Sequence, residues 1–183
     1  MKENLVILFS GGADSVLLME MAKSMEKIPL ALMINYGQKH IEELTKAVKY
    51  CRKNNIKYRE VDLCNYNVRS GLTTGEKGTY EGVHVMNVPA RNTIFLSIAA
   101  GIAESNNIQE IWYGADWSDR ENLFPDCYQE YIFRMNNLLE IAGVKPIKVY
   151  APLLGFTKDY VLSMLKYYGV KEEEYFSGYG EFA

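Results

Sequence analysis

Within the six residues Ser10-Gly11-Gly12-Ala13-Asp14-Ser15 the chain gathers two glycines, two hydroxyls and a carboxylate. The apolar run Leu5-Val6-Ile7-Leu8-Phe9 precedes this stretch and Val16-Leu17-Leu18 follows it, which reads as strand, glycine turn and helix. Adjacent glycines let the backbone turn sharply and leave its amides uncovered. The new helix directs its unpaired N–H groups and positive dipole end at the same spot, so the turn is suited to an anion, a phosphate above all. Ser10 and Ser15 add hydroxyl donors, and Asp14 is placed either to cap the helix or to hold a magnesium ion. The Walker A lysine is absent, which makes this a different kind of phosphate loop. The same residues can also serve as mere punctuation between strand and helix, so the remainder of the chain has to decide.

The elements that must position this loop are legible from periodicity. The chain has 183 residues, enough for one domain, 1–183, with a core that needs neither disulfides nor a structural metal. Twenty basic against 23 acidic residues give a net charge of -3, which argues against a general electrostatic grip on nucleic acid or an anionic membrane and favours a small-molecule partner. Cys51, Cys64 and Cys127 are odd in number, widely spaced and without a CxxC or paired histidine; a reducing, cytoplasmic setting is expected. No apolar stretch has the length of a signal-peptide core or a bilayer span.

Apolar runs at 30–34, 57–63, 109–113 and 147–150 read as four further strands, the second of them more polar and so expected at a sheet edge. Between them, helical spacing is found over 16–27, 41–53, 94–102, 125–142 and 157–168. Strands alternating with helices predict an α/β fold, a five-stranded parallel doubly wound sheet in the order 3-2-1-4-5. Ligands in such sheets bind beyond the carboxyl ends of the strands, where the loops 10–15, 35–40 and 114–126 converge. The glycine-rich stretch 64–88 is expected to be a lid or substrate loop.

Several motifs, in this order, resemble one family. Phe9-Ser10-Gly11-Gly12-Ala13-Asp14-Ser15 is similar to the pyrophosphate loop shared by ATP pyrophosphatases. Asn35-Tyr36-Gly37-Gln38 with His40, Val88-Pro89-Ala90-Arg91-Asn92, Pro125-Asp126-Cys127, and Pro152-Leu153 with Thr157-Lys158 resemble the 7-cyano-7-deazaguanine synthase family in particular. The resemblance implies an adenine-nucleotide α-hydrolase-like fold of Rossmann type, a homodimer, and conversion of 7-carboxy-7-deazaguanine to the nitrile with ammonia, ATP and Mg2+ through an acyl-adenylate. A carboxylate accepts a nucleophile only after one oxygen joins a good leaving group. Transfer of AMP achieves this, with pyrophosphate departing into a loop of fixed donors and cations.

On that reading Ser10, Asp14, Ser15, Arg91 and Lys158 carry the chemistry. Phe9, Ser10, Gly11, Gly12, Asp14, Ser15, Asn35, Tyr36, Gln38, His40, Arg91 and Gly114 bind the nucleotide, with Asp14 the magnesium position. Asn92, Asp119, Phe124, Pro125 and Asp126 face the deazaguanine. Tyr36, Tyr80, Trp117 and Phe124 are placed in loops from which an aromatic ring can stack on a base. The stretch from Gly114 to Pro125 is one residue longer than the family pattern and leaves Asp116 versus Asp119 open.

The family closes with a four-cysteine zinc site in a Ser-Cys-Tyr context. Here the tail, 170–183, reads Phe176-Ser177-Gly178-Tyr179, with Gly178 at the first ligand position, so no zinc is expected. A more open site suits an amine larger than ammonia, including a protein N-terminus, as in antiviral defence relatives. The residues also admit an inactive nucleotide-binding scaffold and, at the level of the superfamily, a tRNA-thiolating enzyme. The charge and the lack of a catalytic cysteine pair disfavour the thiolating enzyme.

Overall fold

The computed structural model describes residues 2–38, 41–64, 79–80, 83–84, 88–121 and 124–176. In chain order these form β1 (Leu5–Leu8), α1 (Ala13–Ser24), β2 (Pro29–Asn35), α2 (Ile41–Lys53), β3 (Lys57–Asp62), β4 (Thr79–Tyr80), β5 (Val83–His84), α3 (Arg91–Asn106), β6 (Glu110–Trp112), α4 (Trp117–Glu121), α5 (Gln129–Ala142), β7 (Lys148–Tyr150) and α6 (Lys158–Tyr167). Short 3-10 turns lie at Pro125–Cys127 and Glu172–Glu174. The main sheet has the order β3-β2-β1-β6-β7 and every pairing in it is parallel, the predicted 3-2-1-4-5 arrangement of a doubly wound fold.

Side chains of β1 point alternately to the two faces, and each face meets its own set of helices. Val6 joins a cluster with Phe95, Leu96, Ala99 and Ala103 of α3 and Ile132, Met135 and Leu139 of α5. Leu5 and Ile7 join Val16 and Leu18 of α1, Ala47 and Cys51 of α2, and Val161 and Leu165 of α6. β1 and β2 read as unbroken apolar runs because both faces are covered, whereas β3 keeps its charged residues exposed and lies at the edge. In α3 the alanines 99, 100 and 103 are buried, but Gly101 faces open space and takes no part in the close packing.

The direction in which strands are added to the sheet reverses at β1. β2 lies on one side of β1 and β6 on the other, so the loop after β1 opens at the switch point of the sheet. Of the predicted loop at 64–88, the short antiparallel hairpin β4–β5 is described, while most of the stretch lies outside the described residues.

Candidate active site

Gly11 has φ +92°, and a Cβ added to it would sit 2.6 Å from the Glu43 carbonyl oxygen and 3.0 Å from Ala47 N of α2. Only glycine fits that approach, and it lets the loop lie directly on the helix backbone. Within the loop the two serines differ. Ser15 is buried; its Oγ accepts from Gly11 N at 3.1 Å and donates to the Gly12 carbonyl at 2.9 Å, so it holds the turn in shape. Ser10 is exposed; its Oγ accepts from Gly12 N at 3.2 Å and lies 3.4 Å from Ser15 Oγ, which accepts its proton when no ligand is bound. Gly12 is the N-cap of α1 and no side chain among the described residues caps that helix, so the positive end of the dipole faces the rim of the loop. Asp14 is therefore not the cap of α1.

Asp14 instead receives Lys158, whose Nζ lies 2.7 and 2.6 Å from its two carboxylate oxygens. Thr157 caps α6 through its Oγ1, which accepts from Tyr160 N, and so places Lys158 on the first turn facing the loop. The same ammonium stands 3.1 Å from Oδ2 of Asp116, a buried oxygen that makes no hydrogen bond among the described residues. Asp116 and Asp119 bond reciprocally across the start of α4, each carboxylate accepting the other's backbone N–H at 3.1 Å. The two aspartates thus divide the work: Asp116 faces Lys158, and Asp119 braces it. Gly114 lies where a Cβ would come 3.1 Å from Asp14 Cβ, so its smallness admits the approach of α1.

Two carboxylates share this ammonium and the third, Asp119, stands behind them. Burial first, and then the neighbouring Asp116 charge, push Asp119 up to about 6. Burial also raises Asp14 against the pull of Lys158, while for Lys158 the carboxylates of Asp14 and Asp116 outweigh burial and hold the ammonium above its usual range. Among the described residues no three His, Cys, Asp or Glu side chains are arranged around a common metal position. Magnesium, however, is commonly held by one or two carboxylates together with phosphate oxygens, and the hard oxygens of Asp14 and Oδ2 of Asp116 fit that donor set.

Across the loop, on the β2 side, Tyr36 N donates to Gln38 Oε1 at 3.0 Å and Gly37 N to Asn35 Oδ1 at 3.2 Å, which folds the end of β2 into a tight polar corner. Arg91, the first residue of α3, lies over the Tyr36 ring with its guanidinium carbon 5.9 Å from the centroid, and Tyr36 packs on Phe95. Burial raises the Tyr36 hydroxyl, with Arg91 opposing. The residue before Arg91, Ala90, is left-handed at φ 54°, a conformation that turns Arg91 toward β2.

The remaining candidates separate by burial. Phe9 is in the core, its ring 5.5 Å from that of Tyr50, so only its backbone reaches the loop. Pro125 is exposed; the Asp126 carbonyl accepts from Tyr113 OH at 2.8 Å, and Phe124 packs on the core below. Asn92 is half-buried on the first turn of α3. Cys127 is buried and its thiol is pushed far up by burial and by Asp119 and Asp126, which makes it packing rather than a nucleophile. His40 and the side chain of Tyr80 lie outside the described residues.

Three residues at the loop were not expected from the sequence. Glu43 is buried beside the loop, its Oε1 3.4 Å from where a Gly12 Cβ would be. Tyr175 and Phe176 are buried as well, with Phe176 forming a parallel bridge to Gly12. The helical spacing of Glu43 relative to Ala47 was visible; the docking of a distant apolar pair had no local signal.

Residues 4–182 match the family model described as "Queuosine biosynthesis protein QueC". The 7-cyano-7-deazaguanine synthase of Marinobacter nauticus is 33% identical over 171 residues, covering 89% of this chain and 77% of that protein. Among solved structures, the U34-tRNA thiolase NcsA of Methanococcus maripaludis superposes with a TM-score of 0.63 at 20% identity over 96% of this chain, which spans 60% of the thiolase. The NH3-dependent NAD synthetase of Campylobacter jejuni superposes with a TM-score of 0.62 at 17% identity, over 95% of this chain and 67% of that one. At such identities these two speak for the fold, the adenine-nucleotide α-hydrolase-like type.

Proposed function

Because the chain belongs to the QueC family of 7-cyano-7-deazaguanine synthases, we propose that it is an ATP-dependent ligase that activates the carboxylate of 7-carboxy-7-deazaguanine as an acyl-adenylate and joins it to nitrogen. The observation that supports this reading best is the juxtaposition of an uncapped helix start, a glycine loop and Lys158 beside Asp14 and Asp116 at the switch point of the sheet. A carboxylate oxygen attacks the α-phosphorus of ATP, and the bond to the pyrophosphate oxygen breaks. The uncapped first-turn amides of α1 and the Ser10 hydroxyl receive the departing charge, on a turn whose shape Ser15 holds. Lys158 and Arg91 flank the loop on opposite sides and supply positive charge. Asp14 and Asp116 would hold Mg2+, which neutralises phosphate charge when bound. The Tyr36 corner takes the nucleotide, and Asp119 with Asn92, Phe124, Pro125 and Asp126 lines the side from which the deazaguanine enters.

Purified protein incubated with ATP, Mg2+, 7-carboxy-7-deazaguanine and ammonium tests this. The expected result, by mass spectrometry and AMP quantification, is the nitrile with two AMP per product; the absence of AMP and pyrophosphate would refute it. Gly178, standing where the family resemblance places a cysteine, favours a second reading in which the reaction stops at an amide formed with ammonia or with a protein amine. One AMP per amide, or a mass increase on an added acceptor protein, selects that reading.

A further inference from the structure

The phosphate loop is held from outside by a segment far along the chain. Phe176 N donates to the Gly11 carbonyl at 2.8 Å, and Phe176 bridges Gly12 in parallel fashion. Lys46 Nζ donates to the carbonyl of the preceding residue, Tyr175, at 2.7 Å, and Lys53 pairs with Glu174 at 2.7 Å. Both lysines are on α2, the helix whose Glu43 carbonyl and Ala47 press on Gly11. One helix therefore supports the loop from below and pins the strap that grips it.

A trans peptide plane carries its C=O and N–H in opposite directions, and no peptide bond in the described chain is cis. Once Phe176 N–H takes the Gly11 carbonyl, the N–H of the same peptide, that of Gly12, has to point the other way, and there it meets Ser10 Oγ at 3.2 Å. The grip on one end of the plane sets the aim of the donor at the other. Glycine at both positions makes this necessary, since neither residue has a side chain to resist rotation of the plane.

We propose that the Tyr175–Phe176 strap, pinned by Lys46, is a positioning element that aims the Gly12 amide at Ser10 Oγ and, through it, holds the Ser10 hydroxyl toward the departing pyrophosphate. This deepens the ATP-dependent reading of the loop and rests on it. The strap acts through its backbone: the Phe176 N–H matters and the Phe176 ring does not set the aim.

The test compares full-length Phe176→Pro, which lacks the N–H, with Phe176→Ala, which keeps it, and with Lys46→Met. ATP affinity is measured by calorimetry and KM by AMP release. The strap predicts that Phe176→Pro weakens ATP binding about tenfold and raises KM for ATP while KM for the carboxylate substrate stays unchanged. Phe176→Ala should remain within about threefold of the parent, with Lys46→Met between the two. Equal losses in the proline and alanine variants, or no loss in either, overturn the strap. If Phe176→Pro does not stay folded by circular dichroism, Lys46→Met decides, and parental ATP affinity there overturns it. Failure of the parent protein to bind ATP would instead overturn the proposed function, and the strap with it.

Discussion

Gly11→Ala isolates the contact between the loop and α2. The substitution adds one methyl group at a residue with φ +92°, and a left-handed backbone costs a non-glycine residue about 1–2 kcal/mol. The new Cβ would stand 2.6 Å from the Glu43 carbonyl oxygen and 3.0 Å from Ala47 N and Cβ. Two of these are backbone atoms of a helix and cannot rotate aside, so the loop must retreat by roughly 0.5 Å or more. Overpacking of this sort costs a further 1–3 kcal/mol or so, for a combined loss of about 2–5 kcal/mol. A loop moved that far also lengthens the 3.1 Å bond from Gly11 N to Ser15 Oγ, so ATP affinity should fall about tenfold or more. Urea denaturation and calorimetric titration with ATP measure the two effects. Gly101→Ala is the control: its site is helical and open, and the variant should gain roughly 0.5–1 kcal/mol. A Gly11→Ala protein destabilised by less than about 1 kcal/mol, with parental ATP affinity, would refute the contact as the reason for glycine.

Lys158→Met removes the ammonium that faces the buried Asp116 Oδ2 atom and should cost roughly 3 kcal/mol near neutral pH, the lower end for breaking a buried pair because the lysine is itself partly exposed. Urea denaturation midpoints measure it, and a variant as stable as the parent contradicts the pairing. Asp119, held at about 6 when folded against 3.8 when free, retains its proton longer in the folded state. Its contribution is complete below about pH 4 and is lost as the pH rises through 6, so Asp119→Asn should gain stability on the parent across that window, by up to about 2–3 kcal/mol. Denaturation at pH 4 and pH 7 giving the same difference would rule it out. Arg91→Met should lower kcat/KM for AMP release about a hundredfold, with Arg91→Lys recovering part of it; equal values for the two variants would remove the guanidinium from the reaction.

The sheet was readable because its central strands are covered on both faces and so are continuously apolar, and because glycine turns and caps such as Thr157 are written locally. β3 at the edge was readable for the opposite reason, its charged residues. The site was legible in its parts and not in its pairings. Lys158 and Asp14 were each placed at a helix start, yet their direct contact depends on α6 packing beside α1, which no local pattern encodes. Asp116 is the least legible of the acidic residues: within one turn of Asp119, its burial against Lys158 is a tertiary fact. Gly101 sat among small residues that suggested helix packing, but the direction of its face was set by which alanines met the sheet. Phe176 could not be assigned at all, since its partner is a backbone carbonyl at the other end of the chain.

That pairing bears on the order in which the molecule assembles. β1 and its loop are made first, but β1 is the central strand, and its neighbours β2 and β6 are supplied later; the grip on Gly11 comes later still, after α6. During synthesis a nascent chain could complete β1, α1, β2, α2 and β3 with the loop still free to rotate. Contacts of such wide sequence separation are closed late in folding, because the entropy of the intervening chain has to be overcome first. Competence to hold ATP should therefore emerge after the sheet, as the last step of maturation.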